Sequence, residues 1–547
     1  MAAGGAEVPA REHPSSLAGR WLDAKRQEAN RPWRWAVNVL AAFVMTVTLM
    51  VILYGSARTS APSIWISSLR GGSGGDSVLR RQEGSFDKLL GGLLADGFDE
   101  RSCHSRYHPP CTVAASGRKP SPYLVSKLRR QEALQRRCGP GTVAYSTALE
   151  QLRSRSGGVR PREPDPRHRL SIHVRALLTD RVLLVDPSNE MGDLFCEPFL
   201  NTTWLLPPGF PLTSFNNFSV DTAESYGNML KNKVVRTDDG DAPATQLPVY
   251  AYIHLNFDAT KDDKLFYCDA DQRLLRDIPW LMMRTDNYIV PGLLLDRGFQ
   301  EEFARLFPEP DTVFHHLGRY LFHPTNNVWG LITRYYDAYL ATAQHRVGIQ
   351  VRVFGEQPNS PALLEQITKC TQKHGMLPEL LSGTEPLIPR PSRKSKAVLV
   401  TSLKSWYSEK LKSMYWEHAA ATGESVSVHQ PSHEEFQHFG GKSHDTKAWA
   451  EIYLLSLTDT LVTTAWSTFG YVAQGLGGLR PWVLYKPEND SVVPDPPCGQ
   501  DVSMDPCFHA PPFYDCRLKR GVDTSKIMPH VKHCIDMRWG LKLVQTS

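Results

Sequence analysis

Two features of this 547-residue chain are suited to holding an anion. The first is Arg352, near the end of HRVGIQVRVF (345–354), whose alternation of apolar and polar residues reads as a strand. A guanidinium placed among apolar neighbours is costly to bury without an anionic partner. Its planar fork of donors suits phosphate and stays charged at any physiological pH. An arginine at a sheet end reaching solvent is the plainer reading. The second feature is the stretch Asp459 to Lys486. A buried strand, Thr460 to Thr464, is followed by the small-residue turn Trp466-Ser467-Thr468-Phe469-Gly470 and by helical turns over 471–476. Gly475, Gly477 and Gly478 end the helix and Pro481 begins the next strand. A strand that turns through Ser-Thr-Phe-Gly into a helix leaves backbone N–H groups at the helix start, with two hydroxyls beside them, facing a common point. Taken alone, an ordinary helix cap explains this turn better; with Arg352, a phosphate-sized anion becomes the stronger expectation.

Other polar and aromatic residues carry weaker signals. Asp286, in RTDNY (284–288), follows the apolar run Pro279 to Met283 and is the best-placed general base; a capping or acceptor-binding role fits it as well. His315, His316, Arg319 and His323 crowd VFHHLGRYLFHPTN, where histidines can move protons or hold hydroxyls, although structural hydrogen bonding is commoner. Trp406 and Tyr407 follow a strand and present faces that a nucleobase or sugar could stack on; core packing is at least as good an account. Two Asp-x-Asp triplets, Asp239-Gly-Asp241 and Asp269-Ala-Asp271, have the form of a metal-binding motif. The first lies in an acidic turn and the second reads as the start of a helix.

The elements that must position these residues alternate. Strands are expected at 181–185, 248–255, 347–354, 397–401, 425–429, 460–464 and 482–485, with helices such as 329–343 and 446–457 between them. Such alternation implies a mostly parallel sheet covered by helices. The length exceeds a single core. A net charge of +5 is small for this length and gives no reason to expect a nucleic-acid partner. Residues 36–54 form an uncharged apolar run of nineteen, flanked by Trp33, Trp35 and a basic N-terminal segment. That pattern reads as a membrane anchor with its N-terminus cytosolic. Ten cysteines suggest disulfides. Zinc is not expected near His509, His530 and His533, because no Cys-x-x-Cys pair accompanies them. Asn201, Asn217 and Asn489 head glycosylation sequons.

Over most of 180–486 the chain resembles the plant cell-wall fucosyltransferases that include xyloglucan α-1,2-fucosyltransferase (glycosyltransferase family 37). The matching text includes DRVLLVD, DLFCEPF, WLLP, TDNYIVPGL, TVFHHLGRYLFHPTN, VWGLITRYY, GIQVRVF, VLVTSLKSWY and LVTTAWSTFGYVAQGLGGLRPWVLY. The resemblance implies an α/β, GT-B-like fold: two Rossmann-type domains facing a cleft, preceded by one transmembrane helix. It implies inverting transfer of L-fucose from GDP-β-L-fucose to O2 of a galactose on xyloglucan or arabinogalactan, with no metal or other cofactor. Arg352 and the turn of Ser467, Thr468, Phe469 and Gly470 would hold the donor pyrophosphate. Trp406, Tyr407 and His316 would contact donor or acceptor, and Asp286 would be the base. Expected partners are GDP-fucose, a galactose-containing polysaccharide or glycoprotein glycan, the Golgi membrane and a second copy of the chain. The implied organisation is a cytosolic tail (1–35), an anchor (36–54), a stem (55–87), an acceptor-side domain (88–335), a donor-binding domain (336–490) and a cysteine-containing extension (491–547). The catalytic part would be lumenal, in a single-pass type II Golgi membrane protein.

One segment departs from the family pattern. Where relatives carry an apolar strand, Gly-Leu-Gly-Asn-Arg and an apolar helix, residues 150–176 are polar, basic and Pro-rich, as in RSRSGGVRPREPDPRHR. The likeness resumes abruptly at Ala176. So sharp an edge points first to a frameshifted or mis-spliced segment and second to a natural, catalytically inactive relative that binds glycan or nucleotide.

Overall fold

The computed structural model describes residues 89–107, 118–155, 170–186, 191–212, 218–237, 247–353, 359–381, 394–438, 441–487 and 492–545. Its centre is a six-stranded sheet in the order β5-β4-β3-β6-β7-β8. The strands are β3 (His345–Gln350), β4 (Ser395–Thr401), β5 (Ser425–His429), β6 (Thr460–Thr464), β7 (Trp482–Leu484) and β8 (Cys498–Gln500). The first five run parallel, and β8 closes one edge antiparallel to β7. Helices α8 (Pro361–Lys373), α9 (Trp406–Glu417), α10 (Lys442–Ser456) and α11 (Thr468–Gly477) form the crossovers.

The strand sequences explain why both faces are covered. Successive side chains point to opposite faces, and β4 is buried on both. Val398 and Val400 pack with Val347, Ile349, Ile367 and Leu411 against α8 and α9. Ala397 and Leu399 face the other way, joining Leu461 and the buried Trp449, Ile452 and Leu455 of α10. Near-continuous apolar strands are what a helix-covered parallel sheet requires.

The N-terminal half is mostly helical. Its helices include α1 (Pro122–Cys138), α2 (Val143–Arg155), α3 (Leu170–Thr179), α4 (Asp269–Asp277), α5 (Arg297–Leu306), α6 (Val313–Leu321) and α7 (Asn326–Tyr339). Among the described residues its sheet has two strands, β1 (Tyr250–His254) and β2 (Trp280–Arg284), paired in parallel from Tyr250↔Trp280 to His254↔Arg284. One apolar cluster runs from Ile253 through Leu317 and Val328 to Leu461 and Val472, so both halves share a core.

The tail is stapled to both halves. Cys370–Cys498 ties it to α8 and Cys268–Cys516 ties it to the residue before α4. Cys507–Cys534 closes a loop within it, and β9 (Val531–His533) pairs with β10 (Leu541–Leu543). Cys103–Cys196 is the remaining bridge among the described residues; Cys138 is free, and Cys111 lies outside them.

Several expectations change. The strand at 181–185 shrinks to one bridge, Val185↔Leu205. Helix α11 starts at Thr468, three residues earlier than its apolar pattern suggests, because Ser467 caps it. The placement as a single-pass Golgi membrane protein with a lumenal catalytic part is corrected: among the described residues no helix is long and apolar enough to cross a membrane. The run 36–54 itself lies outside the described residues, as do Asn217 and Asn489; Asn201 is exposed.

Candidate active site

The chain passes β3, β4 and β5 in one direction, then returns to lay β6 on the opposite side of β3. Helices diverge at such a reversal and leave a crevice at the carboxyl ends of the strands, the usual ligand position in this architecture. Side chains tie the crevice together. Thr463 and Thr464 both donate from Oγ1 to Gln350 Oε1, at 3.0 and 3.1 Å. The Arg352 N–H donates to Thr464 Oγ1 at 2.9 Å. Arg352 therefore stands two residues beyond β3, not within it, with its backbone pinned to β6.

A cavity of about 470 Å³ opens here, lined by Arg352, Lys404, Glu434, Glu435, Phe436 and Phe469 among others. That volume suits a ligand larger than a monosaccharide. Burial lowers the pKa of the Arg352 guanidinium. The acidic wall is bound up internally. The Lys447 ammonium and then His444 hold Glu434 low, while the Ser405 N–H donates to Glu435 Oε1 at 2.9 Å. Glu451, on the cavity wall, is pushed up to about 8 by burial, and it accepts from the Ser432 hydroxyl.

The turn after β6 is built by close packing. The Gly470 N–H donates to the Ser467 cap Oγ at 3.5 Å. A Cβ on Gly470 would lie 2.1 Å from Thr463 Oγ1, so a larger residue would push helix and strand apart. Because α11 follows β6, its N-terminus lies at the carboxyl edge of the sheet, where an anion is favoured. Phe469 reaches the cavity; Ser467, Thr468 and Gly470 are buried behind it.

The other expected residues separate. Tyr407 is fully buried in the core beneath α9, its hydroxyl accepting from the Ser360 N–H at 3.1 Å, so it has no face to offer a ligand. Trp406 packs edge-on to it at 5.1 Å. His316 is buried on α6, and burial with Arg319 nearby lowers its pKa to about 4. His315 accepts from Arg319 at Nε2 and therefore donates from Nδ1 to the Gly475 carbonyl at 3.1 Å, bracing α6 against α11 as a neutral ring.

Asp286 lies at the carboxyl end of β2 and is not among the residues lining the cavity. Burial and then Asp258 raise it to about 7, opposed by the Phe257 N–H, and Asn287 Nδ2 donates to it. Beside it, His254 bridges Tyr252 OH and Asp258 Oδ1, each at 2.9 Å. Asp269 and Asp271 serve the fold. Asp269 accepts from the Arg297 N–H at 3.0 Å and Asp271 from the Tyr226 hydroxyl at 2.8 Å. Asp239 and Asp241 lie outside the described residues. Cys507, Cys534 and Asp536 have the proximity of a metal site, but the two sulfurs form a disulfide and supply no thiolate.

Sequence reasoning missed the acidic wall. Glu451 could have been found as the lone carboxylate inside AWAEIYLLS (448–456), where a solvated glutamate has no place. Lys404, Glu434 and Glu435 lie on loops after strands and leave no comparable trace.

A family model described as xyloglucan fucosyltransferase matches residues 76–160 and 169–517. The break at 161–168 falls inside the atypical segment. The chain is 53% identical over 475 residues to a galactoside 2-alpha-L-fucosyltransferase of Arabidopsis thaliana, covering 84% of this chain and 83% of that protein. It is 48% identical over 534 residues to the protein of that name from Pisum sativum, covering 93% and 92%. Among solved structures, an arginine-to-lysine mutant of Arabidopsis thaliana FUT1 in complex with GDP matches with a TM-score of 0.75 and 52% identity, covering 84% of this chain and 100% of that one.

Proposed function

Because this chain belongs to the xyloglucan fucosyltransferase family, we propose that it transfers L-fucose from GDP-β-L-fucose to O2 of a galactose on a cell-wall glycan, xyloglucan or arabinogalactan, with inversion. The observation that carries this reading is the half-buried Arg352 on the wall of a 470 Å³ cavity at the sheet's point of reversal, where the N-terminus of α11 also begins. The related FUT1 structure is a complex with GDP, which supports a nucleotide-diphosphate in the equivalent place. The two halves would act as GT-B-type domains, the C-terminal one holding donor and the N-terminal one acceptor.

The acceptor O2 attacks the anomeric carbon as the bond to GDP breaks, and negative charge grows on the departing diphosphate. Arg352 and the α11 N–H groups, placed in advance in a crevice of low water content, offset that charge without reorganising. No metal is required by this scheme, and Asp269 and Asp271 are already engaged within the fold. Transfer should therefore persist in excess chelator; loss that added magnesium or manganese restores would overturn the metal-free scheme.

The attacking hydroxyl must lose a proton, and we assign its removal to Asp286. With a pKa near 7, the carboxyl is matched to that task at neutral pH. Transfer should rise with pH through about 7 as Asp286 ionises. Its folded pKa lies above the unfolded value, so stability is lost as pH rises from the unfolded pKa through about 7. Asp286→Asn should thus melt higher than the unaltered chain at pH 8 while transferring roughly 10²–10⁴-fold more slowly. An unchanged rate removes Asp286 as base.

A second reading, a relative that binds GDP without transferring, is favoured by the two-stranded sheet that the described residues of the N-terminal half form. Calorimetry with GDP beside a panel of xyloglucan, arabinogalactan and pectic galactoside acceptors separates the two. Binding without transfer to any of them selects the second.

A further inference from the structure

The residue before the Ser467 cap is Trp466, with φ at +60°. A bulky L-residue adopts this left-handed conformation only under restraint, because its Cβ crowds the following carbonyl. The restraint comes from the far end of the chain. Asp536 Oδ2 accepts from the Trp466 N–H at 3.0 Å, and the main-chain oxygen of Asp536 accepts from the Trp466 indole N–H at 2.7 Å. The same carboxylate accepts from the Tyr471 hydroxyl, one turn into α11. His509 Nε2 meets that hydroxyl at 3.1 Å. The indole is further held by the Lys486 ammonium, 4.1 Å from its centre, and by Trp539. Asp536 itself follows Cys534, whose bridge to Cys507 packs with Tyr471 and Met537 in a small separate core.

We propose that Asp536 is a positioning residue for the donor: it holds Trp466 left-handed and so aims the N–H groups of the Ser467–Gly470 turn. This rests on the reading above, in which that turn holds the pyrophosphate. One carboxylate grips both sides of the cap, at Trp466 and at Tyr471. Its loss would let residue 466 relax to negative φ, swinging the cap and the direction of the donors, and hydrogen bonds weaken steeply with angle.

The test is calorimetric GDP binding to the full-length chain and its variants. Asp536→Ala should bind about tenfold more weakly. Asp536→Asn, which keeps an acceptor for the Trp466 N–H, should lose much less. Adding Trp466→Gly to Asp536→Ala should recover most of the affinity, since glycine adopts positive φ unaided. Undiminished binding by Asp536→Ala overturns the proposal. So does a loss that glycine fails to rescue, because Asp536 then acts through general stability. Arg352→Lys and Ser467→Ala, measured alongside, keep the two ideas apart. If neither weakens GDP binding, the donor-site reading itself fails; if both do while Asp536→Ala does not, only the positioning role falls.

Discussion

Arg352→Lys should bind GDP about 5- to 150-fold more weakly than the unaltered chain, the range corresponding to ~1–3 kcal/mol for a hydrogen bond to a charged group. The substitution keeps the charge and removes the fork. The backbone at this position is fixed by the bond from its N–H to Thr464 Oγ1, so a shorter-reaching ammonium cannot be brought forward by moving the strand end. A lysine would also meet the phosphate oxygens as a point charge, without two parallel bonds. It would ionise less readily in a site where burial already depresses a guanidinium. Calorimetry with GDP measures the effect, and a melting temperature close to that of the unaltered chain shows that the fold is intact. Equal affinity in such a folded variant would take Arg352 out of the donor site.

Replacing residues 150–176 with a family-like strand, glycine loop and helix should raise both soluble yield and fucose transfer, the latter by at least about tenfold. The reason lies in the N-terminal sheet. All five residues of β2 are half-buried, whereas an inner strand of a helix-covered parallel sheet is buried on both faces. Among the described residues β1 and β2 form a two-stranded sheet, extended only by a single bridge from Tyr252 of β1 to Ser225. A restored strand would cover that pair and bury several aliphatic side chains, each contributing ~1.5–3 kcal/mol. Against a total stability of about 5–15 kcal/mol, that is enough to change the folded fraction. It would also steady Asp286, which sits directly past the end of β2. Equal yield and rate for the unaltered and repaired chains would mean that 150–176 is a tolerated variation.

The C-terminal half was legible because its signals are local. The strands at 425–429 and 460–464 have the bounds expected from sequence, and the Ser467 turn announced itself through hydroxyls, a glycine and a following helix. Arg352 was conspicuous because a charge stood among valines. What stayed hidden depends on partners distant in sequence. Nothing in Tyr407 itself distinguishes a stacking platform from a core residue until α9 is laid on the sheet. The pairing of Cys268 with Cys516 could not be chosen among so many cysteines. The short tail strands β8 to β10, three residues each, exist because neighbours hold them, and they lack the length for a readable pattern. The segment 181–185 failed for a different reason: its apolar run is real, but among the described residues only Val185 finds a bridge partner, Leu205.

The Cys268–Cys516 bridge spans 248 positions of chain and has a consequence for biosynthesis. A ribosome releases the polypeptide from its N-terminus at about 5–20 residues per second, so Cys268 emerges roughly 10–50 s before its partner exists. Throughout that interval its thiol is exposed to exchange with Cys138, which ends up free, and with the members of Cys103–Cys196, which can close early. Correct pairing is thus decided only once the tail has been made and arrives to claim a thiol that has already had time to react elsewhere.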